Sequence, residues 1–233
     1  MTTDLPRISL PSTEVAAAWL PVWCATSDDA DRPILHRTIC IEWFDGRGLR
    51  LIATDSYVLL TSWLGVTEHT PEPSLDERPL HTTIASDPDR RGHGLIRYAA
   101  ACAAKDKDTD GTYHRTTLTV GPPAASRKTP ALAEALEQQV LTIGYEGETV
   151  ELLIVEAEYP SWRNLVSTRQ TEATEQIALS PHVLGILAKT GREYAWTFSG
   201  ELGGIHIRSL AGLPVSGVAM PIRVSHLEDE EAA

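Results

Sequence analysis

Asp55, flanked by Thr54 and Ser56, is where residue types first suggest reaction chemistry, since a carboxylate between two hydroxyls could support nucleophilic attack. A serine nucleophile of this kind needs a strand-to-helix elbow and a histidine partner. Neither follows Ser56, where Tyr57-Val58-Leu59-Leu60 runs on as an apolar strand pattern. A side-chain-to-backbone turn at a strand corner accounts better for the triplet. His36, His69, His81, His93, His114, His182, His206 and His226 contain no His-x-x-x-His pair, and the cysteines form no Cys-x-x-Cys, so no zinc site is expected. Gly200 to Gly204 lacks the Gly-Lys-Ser/Thr of a phosphate loop and reads as a hairpin turn. The chain is read as a non-enzyme without a cofactor.

Composition narrows the class further. With 233 residues, 42% hydrophobic and 22% charged, the chain is long enough for one large or two modest globular domains. No apolar run reaches the length of a membrane span, and Met1 to Pro6 lacks the pattern of a secretory signal. Cys24, Cys40 and Cys102 are odd in number and sit in apolar contexts, as free thiols of a reducing, cytoplasmic compartment would. The net charge of −12 argues against a protein that grips DNA by neutralising phosphates. It is compatible with one that encircles DNA and slides, keeping its acid outside and a few cations within.

The elements that must hold these residues follow from periodicity. Val15, Ala18, Trp19 and Val22 recur at helical spacing over 13–26, with Ser12 or Thr13 as cap and Pro21 as a defect that should kink or shorten the helix. Ile39, Ile41 and Trp43 alternate with Cys40 and Glu42 as in a half-buried strand, and Asp45-Gly46 marks a hairpin. Strands are predicted over 49–53 and 57–64, followed by a proline-rich crossover over 67–79. A second unit follows: a strand at 81–85, a helix over 94–104, a strand at 116–120 and a hairpin at 140–145 and 149–156. Within it, an insert at about 122–139 carries a short helix over 131–139. A third unit has a strand at 177–179, a helix over 181–189 with Pro181 at its first position, and strands at 194–198, 204–209 and 215–223. A strand, a helix and three strands thus recur about three times, which makes the chain α+β, with helices layered on antiparallel sheets.

Three segments carry a family resemblance in a fixed order: Ala53-Thr54-Asp55-Ser56-Tyr57-Val58-Leu59-Leu60, Glu158-Tyr159-Pro160-Ser161-Trp162-Arg163-Asn164-Leu165, and Val218-Ala219-Met220-Pro221-Ile222-Arg223-Val224. With the repeated unit, they resemble the sliding clamps (beta subunits) of bacterial DNA polymerase III, in a shortened, phage-type form. The resemblance implies helices inside a ring and sheets outside, encircling duplex DNA without sequence preference. Replicative polymerase and clamp loader would dock short apolar peptides in a groove. That groove would be lined by Leu35, Thr54, Ser56, Tyr57, Val58, Leu59, Pro160, Asn164, Leu165, Val218, Ala219, Met220, Pro221, Ile222 and Arg223. Small aliphatics and one methionine make an adaptable peptide surface. Val58 and Asn164 stand where the family usually has arginines, so the rim is less cationic.

Arg90, Arg91, Arg97, Lys105 and Lys107 around the second helix, with Lys189 and Arg192 at the third, are the cations available to face DNA phosphates. The bland alternative is a solvated helix face with lysine at its C-terminal end. By the resemblance, residues 1–166 match a clamp's middle domain. Residues 167–233 match only the second half of its last domain and end in the acidic run Glu228 to Glu231. A six-domain ring would need a homotrimer if each chain held two domains, but the unit count is nearer one and a half. A clamp-like module that binds replication or repair proteins without encircling DNA is the competing reading.

Overall fold

The computed structural model describes residues 6–27, 29, 31–67, 69–85, 90–123, 139–155, 159, 161–167, 177–200, 203–211 and 215–222. All but the last residue of the expected helix over 131–139, and Pro160, Arg223 and the acidic run at 228–231, lie outside them. The first unit is β1 (Arg7–Pro11), α1 (Ser12–Trp23), β2 (Thr38–Phe44), β3 (Gly48–Thr54) and β4 (Val58–Gly65). The second is β5 (Leu80–Ala85), α2 (Arg91–Lys105), β6 (Arg115–Gly121), β7 (Val140–Tyr145) and β8 (Glu148–Leu153). A short helix, α3 (Trp162–Ser167), leads to the third unit: α4 (Pro181–Lys189), β9 (Tyr194–Thr197), β10 (Ile205–Ser209) and β11 (Val215–Ala219).

β1 is an addition to the sequence reading. Ile8 and Leu10 alternate, but the strand is short and its partner lies far along the chain, in β6, where Ile8 faces Leu118. The strand also changes the start of α1. Ser12 makes no side-chain cap on the helix; its hydroxyl pairs with that of Thr116 at 2.9 Å and its amide donates to the His114 carbonyl.

The first two units exchange their leading strands. β1 joins β6, β7 and β8 in a four-stranded sheet, while β5 joins β2, β3 and β4. The hairpin β7–β8, tied by a two-residue turn in which Glu146 and Gly147 both take positive φ, completes the four-stranded sheet. The third unit adds β11, β10 and β9 to the exposed edge of β4, giving seven antiparallel strands in the order β5-β2-β3-β4-β11-β10-β9.

Strand β2 departs from the half-buried expectation: β2, β3 and β4 are buried along their whole length. Ile39, Ile41, Leu51, Leu60 and Val58 pack on the helix side with Val15, Trp19 and Val22 of α1. Cys40, Ile52 and Leu59 point the other way and would meet water in an ordinary antiparallel sheet, but Trp162 and Val166 of α3 cover them.

Pro21 does not break α1, which runs through it to Trp23. A proline there lacks the N–H that would occupy the carbonyl four residues back, that of Ala17. Arg192, from the third unit, fills the gap: its Nη2 donates to the Ala17 carbonyl at 2.7 Å, while Nη1 donates to the Ala211 carbonyl at 3.0 Å. A guanidinium hydrogen bond of this kind contributes about 1.5–3 kcal/mol. Arg192→Ala is therefore expected to destabilise the protein by about 1–3 kcal/mol in urea unfolding. In a Pro21→Ala background, where a new N–H can reach Ala17, the same substitution should cost less; equal costs in both backgrounds would refute the pairing.

Candidate functional site

The corner between β3 and β4 is built from the side chains of its own sequence. Asp55 Oδ1 accepts from the amides of Tyr57 and Val58 at 3.0 and 2.9 Å, and Thr54 Oγ1 accepts from the Ser56 amide at 3.1 Å. Ser56 sits at φ 81°, a left-handed turn position held by these bonds. The carboxylate has a further partner that no local motif announced. His182 of α4 places Nε2 on Asp55 Oδ2, and its ring meets Tyr57 edge-on at 5.6 Å. With one oxygen spent on backbone amides and the other on His182, Asp55 fastens the third unit to the corner of the first.

Beside this corner, β11 runs antiparallel to β4, with Val218 opposite Leu59 and Ala219 opposite Val58. The Met220 amide then donates to the Tyr57 carbonyl at 2.8 Å, and the Ile222 amide to the Ala178 carbonyl at 2.8 Å. Gly217 permits the seam, because a Cβ there would stand 2.0 Å from the Leu59 carbonyl oxygen.

Strand alternation sorts the sequence-predicted residues. Leu59 and Val218 form a buried floor on the outer face with Trp162 and Val166. Around them stand the exposed side chains of Tyr57, Leu165, Met220 and Ile222. Asn164 and Ser56 are exposed, Pro221 half-buried and Thr54 buried. Val58 and Ala219, one position out of phase, point into the helix-side core and are 1% and 0% exposed. They shape the strands and cannot touch a ligand on the outer face. Leu35 lies in the 3₁₀ turn Ile34–Arg37 that leads into β2 and is no part of the floor cluster.

A second concavity adjoins this surface, which sequence reasoning missed. About 370 Å³ in volume, it is lined by Cys40, Glu42, Arg78, Tyr159, Trp162 and Arg163, among others. Its wall is a buried ionic network. Glu42 receives Arg163 at 2.6 Å, Arg50 at 3.2 Å and the indole N–H of Trp162 at 3.3 Å. Arg50, fully buried, also donates to Glu72 at 3.2 Å and to the Pro73 carbonyl at 2.7 Å, and both guanidiniums stack near the Trp162 ring. Glu42 and Arg50 face each other across the β2–β3 hairpin, whereas Arg163 joins them only because α3 folds back over β2 and β3. Burial, followed by the charge of Glu42, pushes the Cys40 thiol up to about 12. Burial, followed by Cys40, likewise raises Tyr159, whose hydroxyl donates to the Ile52 carbonyl at 3.4 Å.

The cations expected to face DNA divide into two groups. Arg90, Arg91, Arg97, Lys105, Lys107 and Lys189 are exposed, and Arg97 and Lys105 share the outer face of α2 with Gly94, Tyr98 and Ala101. Arg192 is half-buried and bound to two carbonyls, so it is a strut between units. α1 carries neither lysine nor arginine.

No family model and no curated protein sequence matches this chain. Solved structures do. The DNA polymerase sliding clamp of Pseudomonas aeruginosa superposes over 96% of this chain and 68% of its own, with a TM-score of 0.61 at 13% identity. The chain has the sliding-clamp fold. The beta sliding clamp of C. crescentus gives a TM-score of 0.64 at 12% identity, over 96% of this chain and 67% of that one. The DNA polymerase III beta subunit of Thermotoga maritima gives 0.60 at 12%, with the same coverage. Within the sliding-clamp fold, the described surface at β4, β11 and α3 combines an apolar floor, a mixed rim and a rigid ionic backing.

Two outcomes follow from this geometry. Glu42→Ala leaves the buried guanidinium of Arg50 with only the exposed Glu72 and the half-buried Arg163 with no carboxylate partner among the described residues, and should cost about 3–5 kcal/mol in urea unfolding, far more than a surface substitution. In the native protein at pH 8, well below the raised value of Cys40, a thiol reagent should leave Cys40 unmodified until denaturant is added; rapid native labelling read by peptide mass spectrometry would contradict its burial.

Proposed function

We propose that this protein is a DNA sliding clamp: a processivity factor that encircles duplex DNA as a homo-oligomer and docks partner peptides in the groove at the β4–β11 seam. The observation that carries the reading is the groove itself. Leu59 and Val218 form its floor, with Tyr57, Leu165, Met220 and Ile222 exposed around them, on a chain with the sliding-clamp fold. An apolar floor bordered by open strand and helix residues suits a short peptide whose apolar side chains enter while its backbone stays at the rim. The partners of such a groove would be a replicative polymerase and a clamp loader in the cytoplasm. Arg97 and Lys105 on α2 and Lys189 on α4 would make weak contacts to DNA phosphates, compatible with sliding. Residues 1–166 would act as a complete clamp domain and 167–233 as a partial one.

A second reading has its own support. The third unit is single, α1 bears no cation, and the net charge is −12. A module with these properties could capture clamp-binding peptides without holding DNA. Loading onto nicked circular DNA, with retention lost on linearisation, separates the two. Topological retention supports the clamp, and peptide binding without it supports the module. In either case Met220→Asp, at a 43% exposed position, should weaken an apolar peptide at least about tenfold in fluorescence anisotropy without loss of folding. Unchanged affinity would show that the groove lies elsewhere.

A further inference from the structure

The hollow between α3 and β5, on the outer face of the large sheet, takes no part in the groove at the β4–β11 seam. About 370 Å³ in volume, it falls in the size range of small-ligand sites, and Leu59, Val218, Met220 and Ile222 do not line it. One wall comes from the start of α3, the other from Arg78, Pro79 and His81 at the start of β5.

Glu42 is the one carboxylate in the lining, and both of its oxygens are spent. Oε1 receives Arg163 and the Trp162 indole, and Oε2 receives Arg50. His81 stands directly across from Glu42 in the β5–β2 register, so the two side chains share one face of the sheet. The imidazole therefore sits beside a carboxylate already met by two guanidiniums. Arg78, His81 and Ser161 are exposed, and among the described residues none of their side chains makes a hydrogen bond or an ion pair. Three potential donors thus line one hollow with no acceptor of their own. A second hollow of about 200 Å³ shares Arg78, Ser161 and Arg163 and continues along α3. Its carboxylate, Asp76, does not line the first. Arg78 stands between the two and is reachable from both.

We infer that this hollow binds a small organic anion, a carboxylate or phosphate group on a flat apolar body. Arg78 takes the anionic oxygens in its planar fork, with His81 and Ser161 as further donors. The body lies against Pro79 and Tyr159, whose hydroxyl is spent on the Ile52 carbonyl and whose ring remains as apolar surface. On a chain of net charge −12, an unpaired guanidinium in a concave site gives a local positive potential that draws anions in. The wall is also fixed in advance. Arg50 and Arg163 lie over the Trp162 ring at 5.3 and 4.7 Å, so little ordering is needed when the ligand arrives. The site uses none of the exposed residues of the groove, so it stands or falls separately from peptide docking and DNA encirclement.

Phenyl phosphate and benzoate, titrated into the full chain and followed by backbone amide NMR shifts, test the site. At least one should saturate with a Kd below about 1 mM, and the tighter of the two identifies the head group. Benzyl alcohol, with the same ring and no charge, should not saturate. The shifts should centre on His81, Ser161 and Arg163. Arg78→Ala, at an exposed position, should weaken binding at least about tenfold with the circular dichroism spectrum unchanged. Arg97→Ala, on the exposed face of α2, should leave binding as it was. Saturation by neither anion, equal binding of benzyl alcohol, shifts centred outside the hollow, or equal losses in the two arginine variants would each overturn the inference.

Discussion

The pairing of β11 with β4 is the constraint on which the rest of the molecule depends. It joins strands more than 150 residues apart in sequence, with Thr61 and Ser216 sharing a hydroxyl contact at 3.0 Å across the seam. Once β11 is in register, Val218 falls beside Leu59 and Met220 beside Tyr57, so the groove forms as a consequence of sheet geometry. Gly217 permits the pairing locally, because any larger residue would push against the backbone of Leu59. Asp55–His182 and Arg192–Ala17 then lock the third unit to the first at opposite ends of the contact. Neither lock is bulky: one occupies the Ala17 carbonyl that Pro21 leaves open, the other the second oxygen of Asp55.

The outer face of the sheet shows how a clamp-fold surface acquires a rigid floor. Antiparallel sheets of this kind usually leave one face to water. Here α3 lays Trp162 and Val166 over Cys40, Ile52, Leu59 and Val218, and the Glu42–Arg50–Arg163 network holds that helix down. A buried ion pair contributes little net stability, but its geometry is demanding, which suits a role in fixing position. The floor is therefore held by packing and charge together, while the residues that could meet a ligand, Tyr57, Leu165, Met220 and Ile222, remain at the surface.

Charge is distributed unevenly over the helices. α1 is apolar and heavily buried, so it acts as a core element shared by both sheets, and the exposed cations gather on α2 and at the end of α4. The acidic excess of the chain does not contradict a weak interaction with phosphates at those places. Arg192 shows why cations cannot be assigned from sequence position: its guanidinium is consumed by the carbonyl that Pro21 leaves open.

The order of strands and helices was legible in the sequence, because burial on one face imposes a period of two or 3.6 on the side chains. The hairpins at Asp45-Gly46 and Glu146-Gly147, the helix Pro181–Lys189 and the Asp55 turn all follow from local residue chemistry. Strand β1 was hidden because five residues carry too little pattern. α3 was hidden because six residues carry less than two turns of it. The sequence by itself determined which segments are strands and that Leu59 and Val218 are apolar. Tertiary structure alone decided that these two share a floor, that Val58 and Ala219 turn away from it, and that Arg163 joins the Glu42–Arg50 pair of the hairpin. The physical reason is range: periodicity reports the environment of a residue along its own element, whereas register, sheet face and long-range ion pairing depend on partners that only the folded chain brings near.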